Sequence, residues 1–345
     1  MNEGRRYTNP NNNKTTNFML TNLDIKKSAE LGEWLRAVPY EVLRHGQLYN
    51  ADELYSGYEP STDEEKDRAS FAQCYDSRVY QHFMAQGKIA SDVRESVART
   101  IHDHDIHTAL RAFLANFDPR HCVGIMGGHA LLRTDPLFAS VALLSKRLTE
   151  EGCLMVSGGG PGAMEATHLG AWMAGRSDEE AREAIQWLAA AATSFKDYRW
   201  ISSALDVMRR YPQRQYVSLG IPTWLYGHEP STPFATHIAK YFTNSIREDT
   251  ILTVAFGGII YTPGSAGTLQ EVFQDAVQNH YLSFGFASPM IFFGKEFWTK
   301  EVPVYSLMQH LESTGKYKNV LLTLTDNPLE IETVLMDFQK MAPPQ

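Results

Sequence analysis

Residues 153–165, CLMVSGGGPGAME, decide the fold, because they read as a strand, a glycine turn and the start of a helix. The apolar run that ends at Val156 is short and bounded by glycines, which is typical of a buried strand. Pro161 stands near the first helical position, where proline favours initiation. A strand that passes through a turn into a helix is the repeating unit of parallel α/β sheets. The segment therefore predicts an α/β fold.

The same unit recurs along the chain from His121 onward. Further strands are predicted in HCVGIMGG (121–128), QYVSLGIP (215–222), GGIIYTPG (257–264), SPMIFFG (288–294) and NVLLTLTD (319–326). Ser177 and Glu180 form a capping box for one intervening helix. Residues 234–256 are predicted to be helical through Arg247, and a last helix begins at Pro328. The alternation predicts a Rossmann-like, doubly wound parallel sheet.

Three regions follow from the distribution of these patterns. Residues 1–17 are polar and asparagine-rich, and they are predicted to be disordered because they bury little apolar area. Residues 18–118 show apolar side chains at helical spacing and are predicted to form an N-terminal helical region. Residues 119–345 are predicted to form the Rossmann-like domain.

Composition narrows the class of protein. The 345 residues are 43% hydrophobic and carry a net charge of -8, whereas nucleic-acid binders are more often basic. The three cysteines have no CxxC spacing, which disfavours a disulfide scaffold or a zinc ribbon and fits a reduced compartment. No signal peptide and no bilayer-spanning apolar run appear. The sequence therefore predicts a cytoplasmic protein that binds neither nucleic acid nor a membrane.

Two glycine turns lie at predicted strand ends, where parallel sheets bind ligands. In SGGGPGAME (157–165), glycines and a helix start suit a phosphate group, although a tight turn without a ligand explains the glycines equally well. TPGSAGT (262–268) repeats the arrangement and adds the hydroxyls of Ser265 and Thr268. Neither turn has the lysine of a triphosphate loop or the spacing of a dinucleotide fingerprint. A phosphate monoester fits this smaller set of donors.

Glu271 and Arg247 are the charged candidates beside the second turn. Helical spacing places Glu271 away from the predicted apolar stripe, which is formed by Leu269, Val272, Phe273, Ala276 and Val277. Glu271 is therefore predicted not to face the core, and it is either a solvated carboxylate or an acid at the mouth of the crevice. Arg247 can bind a phosphate or carboxylate through its planar guanidinium, or it can form a surface salt bridge.

These motifs resemble the LOG (Lonely guy) family of nucleoside 5′-monophosphate phosphoribohydrolases, which are often mislabelled lysine decarboxylases. The resemblance covers residues 120–295 and rests on three features. They are the segment SGGGPGAMEA, an arginine on a helix that follows it, and then the segment PGSAGTLQE. GIMGGHA (124–130) also resembles the first glycine turn of the longer bacterial nucleotide nucleosidases. The resemblance implies a nucleotide-binding catalytic domain that hydrolyses the N-glycosidic bond to free base and ribose 5-phosphate. It implies a homodimer and requires no metal or organic cofactor.

The resemblance also implies roles for individual residues. Glu271 matches the family's catalytic glutamate and Arg247 its catalytic arginine. The phosphate-binding residues implied are Gly264, Gly267 and Thr268 in one turn and Gly158, Gly159, Gly160 and Gly162 in the other. Ser265 and Ala266 depart from the family's PGGxGT pattern, and Glu248 replaces a basic residue of the plant-type proteins. These departures leave open a nucleotide-binding or signalling protein without catalysis. A decarboxylase would need a lysine for pyridoxal phosphate, and the glycine motifs contain none.

Two other charged clusters allow alternative interpretations. The first could bind a metal or could form a solvated polar face of a helix, and it contains His102, His104 and His107. The second could bind an acidic effector or could interact with a helix carboxyl end, and it contains Arg209, Arg210 and Arg214.

Overall fold

The computed structural model describes residues 22–341 and divides the chain into two compact units, Met1–Val38 and Pro39–Gln345. The predicted disordered segment 1–17 lies outside the described residues. In the first unit the structure describes one helix, α1 (Asn22–Ala37). Among the described residues, the strands and the remaining helices belong to the second unit, and the predicted boundary at residue 118 falls within it.

The second unit is built on a seven-stranded parallel sheet with flanking helices, which confirms the predicted α/β, Rossmann-like fold. The strands are β1 (Cys122–Met126), β2 (Leu154–Ser157), β3 (Ser218–Gly220), β4 (His237–Ile238), β5 (Gly258–Tyr261), β6 (Pro289–Phe293) and β7 (Leu321–Thr325). The helices that precede the sheet are α2 (Ala51–Leu54), α3 (Glu64–Phe71), α4 (Tyr75–Ala85) and α5 (Val93–Leu114). Those that alternate with strands are α6 (Pro136–Glu150), α7 (Ala163–Trp172), α8 (Asp178–Ala191), α9 (Arg199–Arg210), α10 (Asn244–Leu252), α11 (Ala266–Tyr281), α12 (Val304–Ser313) and α13 (Pro328–Lys340).

The strand order places the topological switch between β1 and β5. The order is β4-β3-β2-β1-β5-β6-β7, so the chain first builds outward from β1 on one side and then on the other. The loops that leave these two strands are joined by backbone hydrogen bonds, from Thr262 N to Met126 O at 2.8 Å and from Gly128 N to Pro263 O at 3.1 Å. A crevice is expected at such a switch, beyond the carboxyl ends of the strands.

Helix α7 begins slightly later than the sequence predicts. Gly162 is its N-cap with φ +70° and ψ −127°, so Pro161 precedes the cap and does not occupy the first turn. A side chain at Gly162 would overlap the carbonyl oxygen of Gly128, which explains the glycine. The predicted capping box of α8 is confirmed, with Ser177 and Glu180 bonded reciprocally.

The predicted helix over 234–247 is wrong up to Thr243, and only its last four residues are helical. This stretch contains β4 and an extended connection, and helix α10 begins only at Asn244. The backbone N–H groups of Ala239 and Tyr241 donate to Gly220 O and Pro222 O, at 2.9 and 3.1 Å. Tertiary pairing with the neighbouring strand therefore overrides the helical spacing of the apolar residues.

The main core lies where helices pack against the inner strands. Val123 and Ile125 of β1 join Val141 and Leu144 of α6 and Leu169 of α7 in one cluster of fully or almost fully buried side chains. No helix within residues 22–341 has both the length and the apolar character that crossing a membrane requires.

Candidate functional site

A cleft of about 220 Å³ opens at the carboxyl end of the sheet, at the switch between β1 and β5. The residues that line it lie at the end of β1 and in the loop after it, in the turn after β2 and the start of α7, in α10, at the start of α11 and in a turn around residue 226. Of the residues predicted from the sequence, those that line it are Gly158, Arg247, Ser265, Gly267, Thr268 and Glu271. Gly159, Gly160, Gly162, Gly264 and Ala266 do not line it.

The N-terminus of α11 forms one wall of the cleft. Ser265 is its N-cap, but the serine side chain makes no capping bond. The first backbone bond of the helix runs from Leu269 N to Ser265 O at 3.0 Å, so the preceding N–H groups of the first turn have no partner within the helix. Gly267 faces open space, and a side chain at Gly264 would overlap the hydroxyl of Thr268. This wall can bind an anion through free N–H groups and the helix dipole.

Glu271 lies one turn into α11 and faces the cleft from a buried position. The residue is 9% exposed, so the alternative of a solvated carboxylate is wrong. Burial raises the pKa of its carboxyl from an ordinary value of 4.5 to about 7, while Arg247 lowers it and Glu248 raises it. Both protonation states of Glu271 are therefore accessible near neutral pH.

The prediction of an apolar stripe on α11 is only partly right. Val272 and Ala276 are fully buried, but Val277 is 40% exposed. Asp275 occupies the buried face instead and accepts a hydrogen bond at 2.7 Å from the Tyr261 hydroxyl of β5. Burial raises the pKa of Asp275 to about 7 and the hydrogen bond from Tyr261 lowers it. Helical spacing of apolar residues therefore located the buried face incorrectly, because polar partners on the sheet satisfy polar residues of the helix.

Arg247 is held beside Glu271 rather than on the surface. Its side chain is only 14% exposed, and its Nη1 lies 3.9 Å from Oε1 of Glu271. Its Nε donates to the carbonyl oxygen of Ile221 at 3.0 Å, which fixes the guanidinium. A side chain at Gly158 would overlap Nη2 of Arg247, so the glycine makes room for the arginine. The alternative of a surface salt bridge does not describe this geometry.

The first glycine turn, residues 158–162, is packed against protein. Its glycines are buried, and Gly159 O accepts a hydrogen bond from Thr232 N at 2.8 Å. The first N–H of α7, from Ala163, donates to Gly128 O at 3.3 Å. Gly158 is the one glycine of this turn that reaches the cleft.

A second wall of the cleft was not identified from the sequence. It contains His129, Tyr226 and Glu229. His129 directly follows the glycine pair at the end of β1, which was the available signal. Tyr226 and Glu229 belong to a tight turn in which Glu229 N donates to Tyr226 O at 2.8 Å, and no motif marks this turn in the sequence.

The helical region before the sheet positions both walls. The Asp103 carboxylate on α5 accepts hydrogen bonds at 2.9 Å from the backbone N–H groups of Phe242 and Thr243, where α10 begins. Asp76 on α4 accepts a bond at 2.9 Å from Nε1 of Trp224, next to Tyr226. These buried carboxylates connect α5 to the helix of Arg247 and α4 to the turn of Glu229.

Three residues of the histidine and arginine clusters make structural contacts, while His104 and Arg214 are exposed. His102 is completely buried and bonded to the Tyr49 hydroxyl at 2.9 Å, so a solvated face is the wrong description for it. Within residues 22–341, no group of three or more His, Cys, Asp or Glu side chains could hold a metal ion. Arg209 and Arg210 form ion pairs with Asp206 and Glu183.

Comparisons with known proteins leave the family open. No protein-family model and no curated protein matches the chain. It is similar to the molybdenum cofactor binding protein of the phototrophic bacterium Rippkaea orientalis, with 14% identity, coverage of 64% of this chain and 97% of that chain, and a TM-score of 0.40. It is also similar to the X-ray structure of TM1055, with 18% identity, coverage of 62% and 98%, and a TM-score of 0.40. Membership of the LOG family stays a prediction.

Proposed function

We propose that this protein is a nucleoside 5′-monophosphate phosphoribohydrolase. The observation that carries the proposal is the pairing of a buried, cleft-facing Glu271 with the uncapped N-terminus of its own helix. The helix terminus suits the 5′-phosphate, and the acid lies one turn further along, on the side of the ribose. The sequence motifs that resemble the LOG family support the same assignment.

The phosphate binds at the first turn of α11 in this proposal. Free N–H groups around Gly267 and the Thr268 hydroxyl provide donors without a lysine, which suits one phosphate better than three. Binding energy from the phosphate fixes the ribose without taking part in the chemistry. At about 220 Å³, the cleft is below the roughly 300–1,000 Å³ of pockets that enclose drug-sized ligands. The cleft therefore suits ribose 5-phosphate, with the base in its mouth.

Glu271 assists attack of water at C1′ of the ribose. Breaking the N-glycosidic bond builds positive charge on the sugar, and a nearby carboxylate stabilises it. The raised pKa makes the Glu271 carboxylate a stronger base than an ordinary one, since base strength increases with pKa. Arg247 keeps this carboxyl oriented from 3.9 Å.

The test is release of free base from a panel of purine and pyrimidine nucleoside monophosphates. Glu271→Gln is expected to lower kcat/KM by about 10²–10⁴-fold, since it removes the proton acceptor. Asp275→Asn is the matched control, because Asp275 has a similarly raised pKa on the same helix but is bonded to Tyr261 and does not line the cleft. Asp275→Asn is expected to retain activity.

Two outcomes would contradict the proposal. If no nucleotide releases base while several raise the melting temperature, the protein is a nucleotide-binding protein without this activity. If Glu271→Gln retains full activity, another group activates the water.

The resemblance also implies a homodimer, which we include in the proposal. The exposed apolar side chains of Val277, Tyr281 and Phe284 offer a second copy a surface, and sedimentation velocity reports the assembly.

A further inference from the structure

We propose that His129 is a second catalytic residue, which protonates the departing base, and that Glu229 positions it. The inference rests on the proposed phosphoribohydrolase function and concerns the second wall of the same cleft. A base that leaves as an anion is a poor leaving group, so cleavage of the bond is accelerated when a positioned acid donates a proton to it.

The proton donor must stand apart from the proton acceptor. Glu271, with Arg247, belongs to the α11 wall, where water attacks the ribose in the proposed reaction. His129 lines the same cleft from the loop after β1 and is 44% exposed, so a ligand can reach it. A proton donor and a proton acceptor held at separate points of one cleft can act in the same reaction.

The contacts of His129 orient its ring. Its Nδ1 lies 3.5 Å from Oε1 of Glu229, whose side chain is 18% exposed. Phe195 packs edge-on against the imidazole with ring centroids 5.9 Å apart. The Glu229 carboxylate favours a proton on Nδ1, and Nε2 lies on the side of the ring that faces away from Glu229. In the imidazolium form both ring nitrogens carry a proton, so Nδ1–H faces Glu229 and Nε2–H is the proton that His129 donates to the base.

Glu229 is itself held in place by the turn that contains it. Its backbone N–H donates to Tyr226 O, and Trp224, at the start of this turn, is anchored to Asp76. His228 also approaches Glu229, with Nε2 at 3.7 Å, but it does not line the cleft. The other charged groups that line the cleft are Arg247, Glu248 and Glu271.

The reaction balances with water as the sole co-reactant. The C1′–N bond breaks, its electron pair moves to the base nitrogen, and the Nε2 proton of His129 transfers to the base. Water adds to C1′ and gives its proton to the Glu271 carboxylate. Proton exchange with solvent restores both side chains, and the products are free base and ribose 5-phosphate.

Two substrates distinguish the roles of the two walls. The first is the nucleoside monophosphate that the wild type hydrolyses fastest, and the second is 4-nitrophenyl ribofuranoside 5-phosphate, whose phenolate leaves without a proton. His129→Ala is expected to lower kcat/KM about 10²–10⁴-fold on the nucleotide but less than about threefold on the nitrophenyl substrate. Glu271→Gln is expected to lower kcat/KM on both substrates.

Two further variants complete the experiment. Glu229→Gln is expected to reduce nucleotide hydrolysis less than His129→Ala does, with the same dependence on leaving group and an unchanged KM. His228→Ala is the control, since this histidine also approaches Glu229 but lies outside the cleft, and it is expected to retain both activities. Melting temperatures show whether each variant is folded.

The inference is overturned if His129→Ala lowers kcat/KM equally on the two substrates, or lowers it on neither. A wild type that releases no base from any nucleotide would instead contradict the proposed function, and this inference with it. The two failures are distinguishable, because the first requires an active wild type and the second an inactive one.

Discussion

The two glycine turns look alike in sequence and differ in what fills them. The turn at 158–162 follows β2 and is buried, with its groups bonded to the loops around it. The turn at 264–268 follows β5 and leaves the start of α11 without a side-chain cap. Glycines at a strand end therefore permit close approach, and the surrounding chain decides whether protein or a ligand approaches.

The glutamates that follow the two turns show the same contrast. Glu165 on α7 is 1% exposed, and Arg133 binds both of its carboxylate oxygens while Trp200 donates to Oε2 at 3.0 Å. Glu271 on α11 pairs with Arg247 at 3.9 Å, the one ion-pair partner it has within the described part of the chain, and it lines an open cleft. The first acid is satisfied by the fold, whereas the second is left available for chemistry.

The largest difference in stability is expected between variants in which one or the other of these two glutamates is replaced by glutamine. Glu165→Gln leaves the buried Arg133 guanidinium uncompensated and is expected to lower the free energy of unfolding by about 3–5 kcal/mol. Glu271→Gln is expected to leave stability equal or higher at pH 7, because it removes a carboxyl that burial disfavours. Urea unfolding measures the free energy of unfolding of both variants. Equal losses of stability would contradict the distinction between the two turns.

Alanine at one glycine of each turn sharpens the comparison further. Gly162→Ala forces a side chain at φ +70° against Gly128 O and is expected to cost about 2–5 kcal/mol, from backbone strain and overpacking. Gly267→Ala meets no atom within 4 Å and is expected to keep or slightly raise stability. Thermal unfolding checks both variants. A loss at Gly267 comparable to that at Gly162 would mean that the second turn is also packed.

The strands were predictable because their signal is local. A short apolar run that ends in glycines, as at Val156 or Tyr261, identifies a buried strand without knowledge of its neighbours. The stretch around Lys240 was not predictable in this way. Lys240 is buried against Asp76 at 2.6 Å, and that partner lies far away in the sequence. Such a contact is invisible to helical spacing.

The sequence predicted the site only on the wall formed by α11, where the glycine turn provides a motif. The glycine turn led to Arg247 and Glu271, but the burial of Glu271 depends on the cleft around it. Tyr226 and Glu229 come from a turn without glycine repeats, which an aspartate on α4 anchors through Trp224. Their role follows from the tertiary arrangement, and the sequence gives no sign of it.

The smallest of these effects is the pH dependence of stability that Glu271 confers. Its pKa is raised on folding, so the folded state retains the proton up to about pH 7 while the unfolded chain loses it near 4.5. Relative to Glu271→Gln, the wild type therefore becomes less stable as pH rises between these values, by at most about 3 kcal/mol. Below pH 4 the contribution of ionisation to this difference vanishes. Asp275 titrates in both proteins and cancels, so urea unfolding from pH 4 to pH 8 isolates Glu271. A difference that stays constant with pH would show that Glu271 is ordinary in its acidity and that the open turn does not hold a perturbed acid.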